Sequence, residues 1–264
     1  PCKVRDLFDL TSSLLSPTLH QTGKIVLKVL LADILKNKMW QEKKEKKSIA
    51  DQSDMVDLSF GVNCRELPYD HAYELSSELI NLVPEIKNDK RNAIQTLHGP
   101  MSGNGWVRAD GENIFLSKRA KLYMRINKNQ IDGIKNIEGK KIKLFGNELN
   151  IGKCKTKKFL IVKDLFCRFV HCDEDIPEDK FLEDIQKELG SYDVHINKAL
   201  CGQSKRIKFG NNSLYTRSLM IADLTKIESL RLQEEGVGTQ RLFGCGIFLP
   251  HKSIDAVSNF KEDD

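Results

Sequence analysis

One order of strand-like and helix-like segments occurs twice along this chain, and that recurrence constrains the fold more than any single motif. From Met55 the stretch MVDLSFGVN sets Val56, Leu58 and Phe60 on one face with the two-residue period of a strand. Leu67-Pro68 leads into a helical pattern from Asp70 to Leu82, with Leu75, Leu79 and Leu82 as its buried stripe, and Pro84 ends it. Strand-like runs follow at Ala93 to His98 and Ile114 to Ile126, separated by the glycine-rich GPMSGNGW. A short helix near Asn129 to Asn136 and a strand from Lys141 to Phe145 complete the first set. The second set has a strand from Phe159 to Val170, an acid-opened helix from Pro177 to Leu189, and strands near His195 and Ile207 and from Ser213 to Ala222. It closes with a helix from Leu224 to Glu235 and a strand from Leu242 to Leu249.

Both sets read β-α-β-β-α-β, the order of a ferredoxin-like, RNA-recognition-type unit with helices on one face of an antiparallel sheet. The predicted fold is therefore α+β, with two tandem ferredoxin-like domains at 55–154 and 155–254 and a tail at 255–264. The 264 residues suffice for two small cores. Residues 1–54 differ. Apolar residues recur at 26, 30, 34 and at 27, 31, 35, which predicts a helical extension running into the charged QEKKEKK and a boundary near Asp54. The apolar run from Ile25 to Leu35 is interrupted by Lys28 and Asp33 and is too short to span a bilayer.

Charge is segregated. Between Lys118 and Lys158 there are thirteen Lys or Arg against Asp132, Glu138 and Glu148, whereas Cys172 to Glu188 holds eight acids against Lys180 and Lys187. A basic stretch of that density suits a phosphate backbone, although a solvated lysine face has the same composition. Lys118, Arg119, Lys121 and Arg125 alternate with Leu116, Ala120, Leu122 and Met124 in SKRAKLYMRI. Lys205, Arg206 and Lys208 lie in an acid-free stretch from Lys198 to Arg217, punctuated by Gly202 and Gly210. Both groups are candidate RNA contacts. The low aromatic content, 7%, weighs against a platform for stacking single strands.

Seven irregularly spaced cysteines without a C-x-x-C pair suit a reducing, cytoplasmic compartment. Cys167, His171 and Cys172 form the nearest approach to a metal cluster, but with no second cluster they read as strand residues, so neither a metal nor a cofactor is expected. His20, His171, His195 and His251 read as structural or surface residues.

The segment LQEEGVGTQRLFGCGIFLPHK, from Leu232 to Lys252, carries Gly236, Gly238, Gly244 and Gly246 at a helix end and the following strand. Read alone, this is a helix cap and a tight strand entry. It also resembles the C-terminal glycine-rich loop of the CRISPR-associated repeat-RNA endoribonucleases of the RAMP superfamily, and GCGIFLPHK is similar to a branch found with type I systems. The resemblance spans about Met55 to Lys252. It implies that the four glycines expose backbone N–H groups to a phosphodiester.

It also implies a histidine in or beside the first helix as general acid or base. PYDHAYELSSE supplies His71, with Tyr73 two residues on to orient the phosphate. His98 is the competing candidate, since some members carry the active histidine between the first helix and second strand. Imidazole can give or take a proton at neutral pH, as attack by a ribose 2′-hydroxyl requires. The implied reaction is metal-independent cleavage of precursor CRISPR RNA to 2′,3′-cyclic phosphate and 5′-hydroxyl ends, with the product retained. The implied partners are repeat RNA and possible further subunits of a type I effector complex, with no membrane. The rival expectation is a non-catalytic RNA-binding subunit of such a complex.

Overall fold

The computed structural model describes residues 48–98 and 113–251. The helical reading of the extension therefore lies outside the described residues except at its end, where Ile49–Gln52 forms a 3-10 turn opened by Ser48. The glycine-rich GPMSGNGW and the tail also lie outside them.

The first half runs β1 (Met55–Asn63), β2 (Glu66–Pro68), α1 (Ala72–Leu82), β3 (Ala93–Ile94), β4 (Asn113–Phe115), β5 (Lys121–Asn127), α2 (Ile131–Lys135), β6 (Lys141–Leu144) and β7 (Asn147–Lys157). Its main sheet has the order β3-β5-β1-β7-β6, with β2 and β4 paired separately. The second half runs β8 (Leu165–Cys172), α3 (Glu178–Gly190), β9 (Lys198–Cys201), β10 (Lys205–Phe209), β11 (Asn212–Ala222), α4 (Lys226–Glu235) and β12 (Phe248–Pro250). Its sheet has the order β10-β11-β8-β12, with β9 also on β11. All pairings in both sheets are antiparallel.

Each half buries its own core. Val56, Leu58, Phe60 and Val62 of β1 meet Leu122, Met124 and Ile126 of β5 and Leu75 and Leu79 of α1. In the second half Phe181, Ile185 and Leu189, spaced four apart on α3, pack on Leu165, Cys167 and Val170 of β8. Thr225 and Glu228 form a capping box that starts α4.

Local expectations fail at three places. The run from Ile114 to Ile126 is two strands, because Ser117 to Ala120 turns, with the Ala120 N–H donating to Ser117 O at 2.9 Å, and β4 leaves to pair with β2. Lys118 and Arg119 are thus turn residues, exposed rather than on a strand. The eleven-residue β7 crosses the expected boundary at 154. Leu82 is 38% exposed, and Ile80 takes its place in the core.

The two halves are joined by buried arginines. Arg125 lies on the face of β5 away from α1, as its alternation predicts, but it is fully buried and does not reach a surface that RNA could touch. Its guanidinium pairs with the Asp57 carboxylate at 2.8 and 3.1 Å and donates to Gln233 O at 2.7 Å and Phe248 O at 3.2 Å. It also lies 4.5 Å over the Phe159 ring. Arg241 returns the link, donating to Arg91 O at 2.8 and 3.2 Å and to the carbonyls of Glu234 and Gly246 at 3.0 and 3.1 Å. Removing one partner of such a pair leaves an uncompensated buried charge. We therefore expect Arg125→Met to lower the free energy of unfolding by about 3–5 kcal/mol in denaturant titration. Lys205→Gln, on an exposed strand position, should change it by less than about 0.5 kcal/mol.

Candidate functional site

His71 precedes α1 and is 1% exposed. Its Nδ1 lies 2.8 Å from Pro68 O, and its Nε2 accepts the Leu97 N–H at 3.0 Å. The carbonyl can only accept and the amide can only donate, so the ring is the neutral Nδ1–H tautomer with both nitrogens engaged. Burial pushes its pKa below the usual imidazole value, against the opposing pull of the Pro68 hydrogen bond. No lone pair is left for a ribose hydroxyl. In this arrangement His71 holds the main chain at Leu97, and its ring is closed off from solvent.

The next residue is His98, an exposed residue whose ring lies against the protein. Nε2 lies 3.2 Å from Thr96 Oγ1, and Nδ1 lies 3.4 Å from Arg168 Nη1 of β8. Loss of hydration against the protein, and then the Arg168 charge, hold its pKa down to about 3. A neutral imidazole thus stands beside a guanidinium at the meeting of the two halves. Arg168 escaped the sequence reading, although a charge inside the apolar run LFCRFV was a usable signal.

Tyr73, in the first turn of α1, stacks on Phe243 at 5.5 Å and meets Phe209 edge-on at 4.9 Å. It ties α1 to the β10–β11 hairpin and to the glycine-rich segment. At the hairpin turn, a Cβ on Gly210 would stand 3.2 Å from the Tyr73 ring.

The four glycines of the C-terminal segment do not present free amides. Their N–H groups donate to Leu232 O (Gly236), the Glu188 carboxylate (Gly238), Arg241 O (Gly244) and Phe169 O (Gly246). Gly236 and Gly246 have φ of +65° and +67°, and a Cβ on either would drive into a facing main-chain carbonyl at 2.2 or 2.1 Å. Their work is close chain passage around Arg241, whose burial lowers its pKa to about 10. Gly244 packs against Thr96, so the same turn supports the segment between β3 and His98.

The candidate cations fall into two places. Lys205, Arg206 and Lys208 are exposed on β10. Arg206 bonds the Tyr215 hydroxyl and lies 4.6 Å over its ring. Lys121 shares the face of the first sheet opposite α1, away from Tyr73 and the hairpin it packs against. Among the described residues no group of three or more His, Cys, Asp or Glu is placed to hold a metal, and no helix is long and apolar enough to cross a membrane.

Replacing His71 with Ala leaves a buried N–H and a buried carbonyl without their partner, which should cost about 2 kcal/mol or more. His71 also sets a pH dependence. Below about 6.5 the unfolded chain takes up a proton that the folded state refuses. The His71 contribution is complete above that pH and is lost as pH falls. Stability measured from pH 7 to 5 should fall less steeply in His71→Ala than in the unaltered protein.

A Cas6 CRISPR family model matches residues 56–253. The chain is 26% identical over 195 residues to the CRISPR-associated endonuclease Cas6 of Myxococcus xanthus strain DK1622, covering 74% of this chain and 81% of that protein. Among solved structures, a RAMP protein described as binding different RNA substrates superposes with a TM-score of 0.56 at 14% identity, covering 75% of this chain and all of that one. A CRISPR-associated Cas6 protein superposes at 0.53 with 15% identity over the same share of both chains. A Cas6-related protein of Pyrococcus furiosus gives 0.52 at 13% identity, covering 74% of this chain and 97% of its own. The family model spans well over half of the sequence, and the chain belongs to the Cas6 CRISPR family.

Proposed function

We propose that this chain is an endoribonuclease of CRISPR repeat RNA, built on two ferredoxin-like halves, in which His98 moves the proton and Arg168 stabilises the phosphate. The observation that carries this reading is the pairing of the exposed residue His98 with Arg168, whose Nη1 lies 3.4 Å from its Nδ1. Family membership and the endonuclease named in Myxococcus xanthus support the activity. The strand orders β7-β1-β5-β3 and β12-β8-β11-β10, each with two helices, support the paired fold.

In the reaction, Arg168 turns from His98 Nδ1 to the arriving phosphate, and the lone pair so freed on the neutral imidazole accepts the proton of the ribose 2′-hydroxyl as that oxygen attacks the adjacent phosphorus. The bond from phosphorus to the 5′-oxygen breaks, and that oxygen takes up a proton from water while the imidazolium returns its own to the solvent, which restores the neutral ring. The products carry a 2′,3′-cyclic phosphate and a 5′-hydroxyl. Arg168 stands where a guanidinium can oppose the charge that builds on the phosphorane oxygens. An arriving phosphodiester brings negative charge beside His98 and raises its pKa toward the range in which an imidazole exchanges protons. All of these groups are side chains, so the reaction needs no metal. Arg206 and Lys208, pointing outward from β10, hold the RNA backbone, and retained product passes to other subunits.

His98→Ala should lower the single-turnover cleavage rate by about 10² to 10⁴, the usual worth of a positioned acid or base, with RNA affinity and melting temperature unchanged. Arg168→Gln should slow it in the same assay. Cleavage should persist in EDTA, and an RNA with a 2′-deoxyribose at the cut should bind and stay intact. Binding without cleavage by the unaltered protein would make the chain a non-catalytic RNA-binding subunit.

A further inference from the structure

The first sheet has a second face, opposite α1. Cross-strand register places Asp57, Ser59 and Gly61 of β1 on this face beside Arg125, Tyr123 and Lys121 of β5, and Lys157 and Lys155 of β7 beside Asp57 and Ser59. At one end the second half covers Arg125 and Asp57. Among the described residues nothing is recorded across the face beyond Arg125: Lys121, Lys155 and Lys157 are exposed and Tyr123 is half-buried. Lys157 Nζ lies 3.0 Å from the Tyr123 hydroxyl and 4.8 Å from its ring centroid.

The floor beside Tyr123 is flat. Gly61 and Gly152 lie on neighbouring strands so close that a Cβ on Gly152 would be 3.2 Å from Gly61 O, and Lys121 Nζ reaches over Gly61. The local acids are already matched: Asp57 by Arg125, Glu148 by Lys141, and Glu138 by the Cys154 N–H. Burial opposes ionisation of Tyr123, but hydrogen bonds from Lys157 and Ser59 and the charges of Lys157 and Lys121 outweigh it and hold its pKa below the usual phenol value. None of these groups takes part in the chemistry at His98, which lies with Arg168 and the glycine-rich turn.

We propose that this face is a separate site for an unpaired stretch of RNA, with a base on Tyr123 over the Gly61 floor and phosphates on Lys121, Lys155 and Lys157. The proposal rests on the reading of the chain as a repeat-RNA endoribonuclease and names which part of the RNA this face takes. An aromatic ring set among lysines on a sheet is the arrangement that holds single strands without sequence preference, since every base has a face to stack and every nucleotide a phosphate to pair. Lys157 is the moving part. Its ammonium rests on a neutral phenol and its ring, and a phosphate is the stronger, charge-assisted partner. When Lys157 turns to the backbone it uncovers the ring for a base.

The test uses the whole chain and a labelled single-stranded oligouridine, with a repeat stem-loop as the cleavage substrate. Tyr123→Ser should weaken oligouridine binding about tenfold or more, while Tyr123→Phe, which keeps the ring, should bind like the unaltered protein. Lys155→Gln with Lys157→Gln should lower the slope of log affinity against log salt by about 1.4, at roughly 0.7 per phosphate on a single strand. Cleavage of saturating stem-loop should be unchanged in all three. Equal oligouridine binding by Tyr123→Ser and the unaltered protein overturns the proposal and leaves the endoribonuclease reading intact. Dissociation of a dimer on Tyr123→Ser, seen by mass measurement without loss of oligouridine binding, overturns it in favour of a second protein copy. Oligouridine binding that depends on Tyr123 in a protein that cuts no repeat RNA retains this site and removes the catalytic reading instead.

Discussion

Two arginines that never reach solvent hold the two halves in one arrangement. Arg125 projects from the first half onto carbonyls of α4 and β12, and Arg241 projects from the glycine-rich segment onto Arg91 O. A guanidinium has five donors in a rigid fork and stays charged. Once buried, it specifies which carbonyls must face it. The Arg241 cluster sets Gly244 against Thr96, and the segment from β3 to His98 is thereby gripped by both halves. The candidate site exists only where these two sets of contacts meet.

Within that arrangement the two histidines divide the work by environment. One is enclosed, with a carbonyl on Nδ1, an amide on Nε2 and 1% of its surface exposed, and a ring so enclosed offers no face to a substrate. Its neighbour in space is an exposed residue beside Arg168. On the reading proposed for His98, the first positions the second: the Leu97 amide that His71 holds belongs to the residue just before His98. Loss of His71 is therefore expected to disturb activity through the fold, and loss of His98 through chemistry alone.

Much of the architecture was legible in the sequence. The alternation in MVDLSFGVN and the four-residue spacing of Phe181, Ile185 and Leu189 report burial on one face, and that information is local. β7 was not legible, because NELNIGKCKTK is half lysine and polar residues on its open face, leaving only Leu149 and Ile151 as an apolar signal. The site was legible as a short list of candidates, His71 and His98 among them, but not as roles. His71 owes its role to an amide 26 residues away, and Arg125 owes its burial to carbonyls 108 and 123 residues away. Alternation placed Arg125 on the correct face and said nothing of what would cover that face. The glycines were read as free amides because a sequence shows their flexibility and not their partners.

The division between the two imidazoles is the centre of this account, and nitrogen-15 NMR of the histidine side chains, titrated from pH 8 to 5 with and without a non-cleavable repeat RNA, tests it most directly. The account predicts that His71 stays the neutral Nδ1–H tautomer at neutral pH, unmoved by RNA, while His98 alone shifts and gains proton affinity when RNA binds. A His71 ring that titrates near 6.5 and responds to RNA, beside a silent His98, would contradict it.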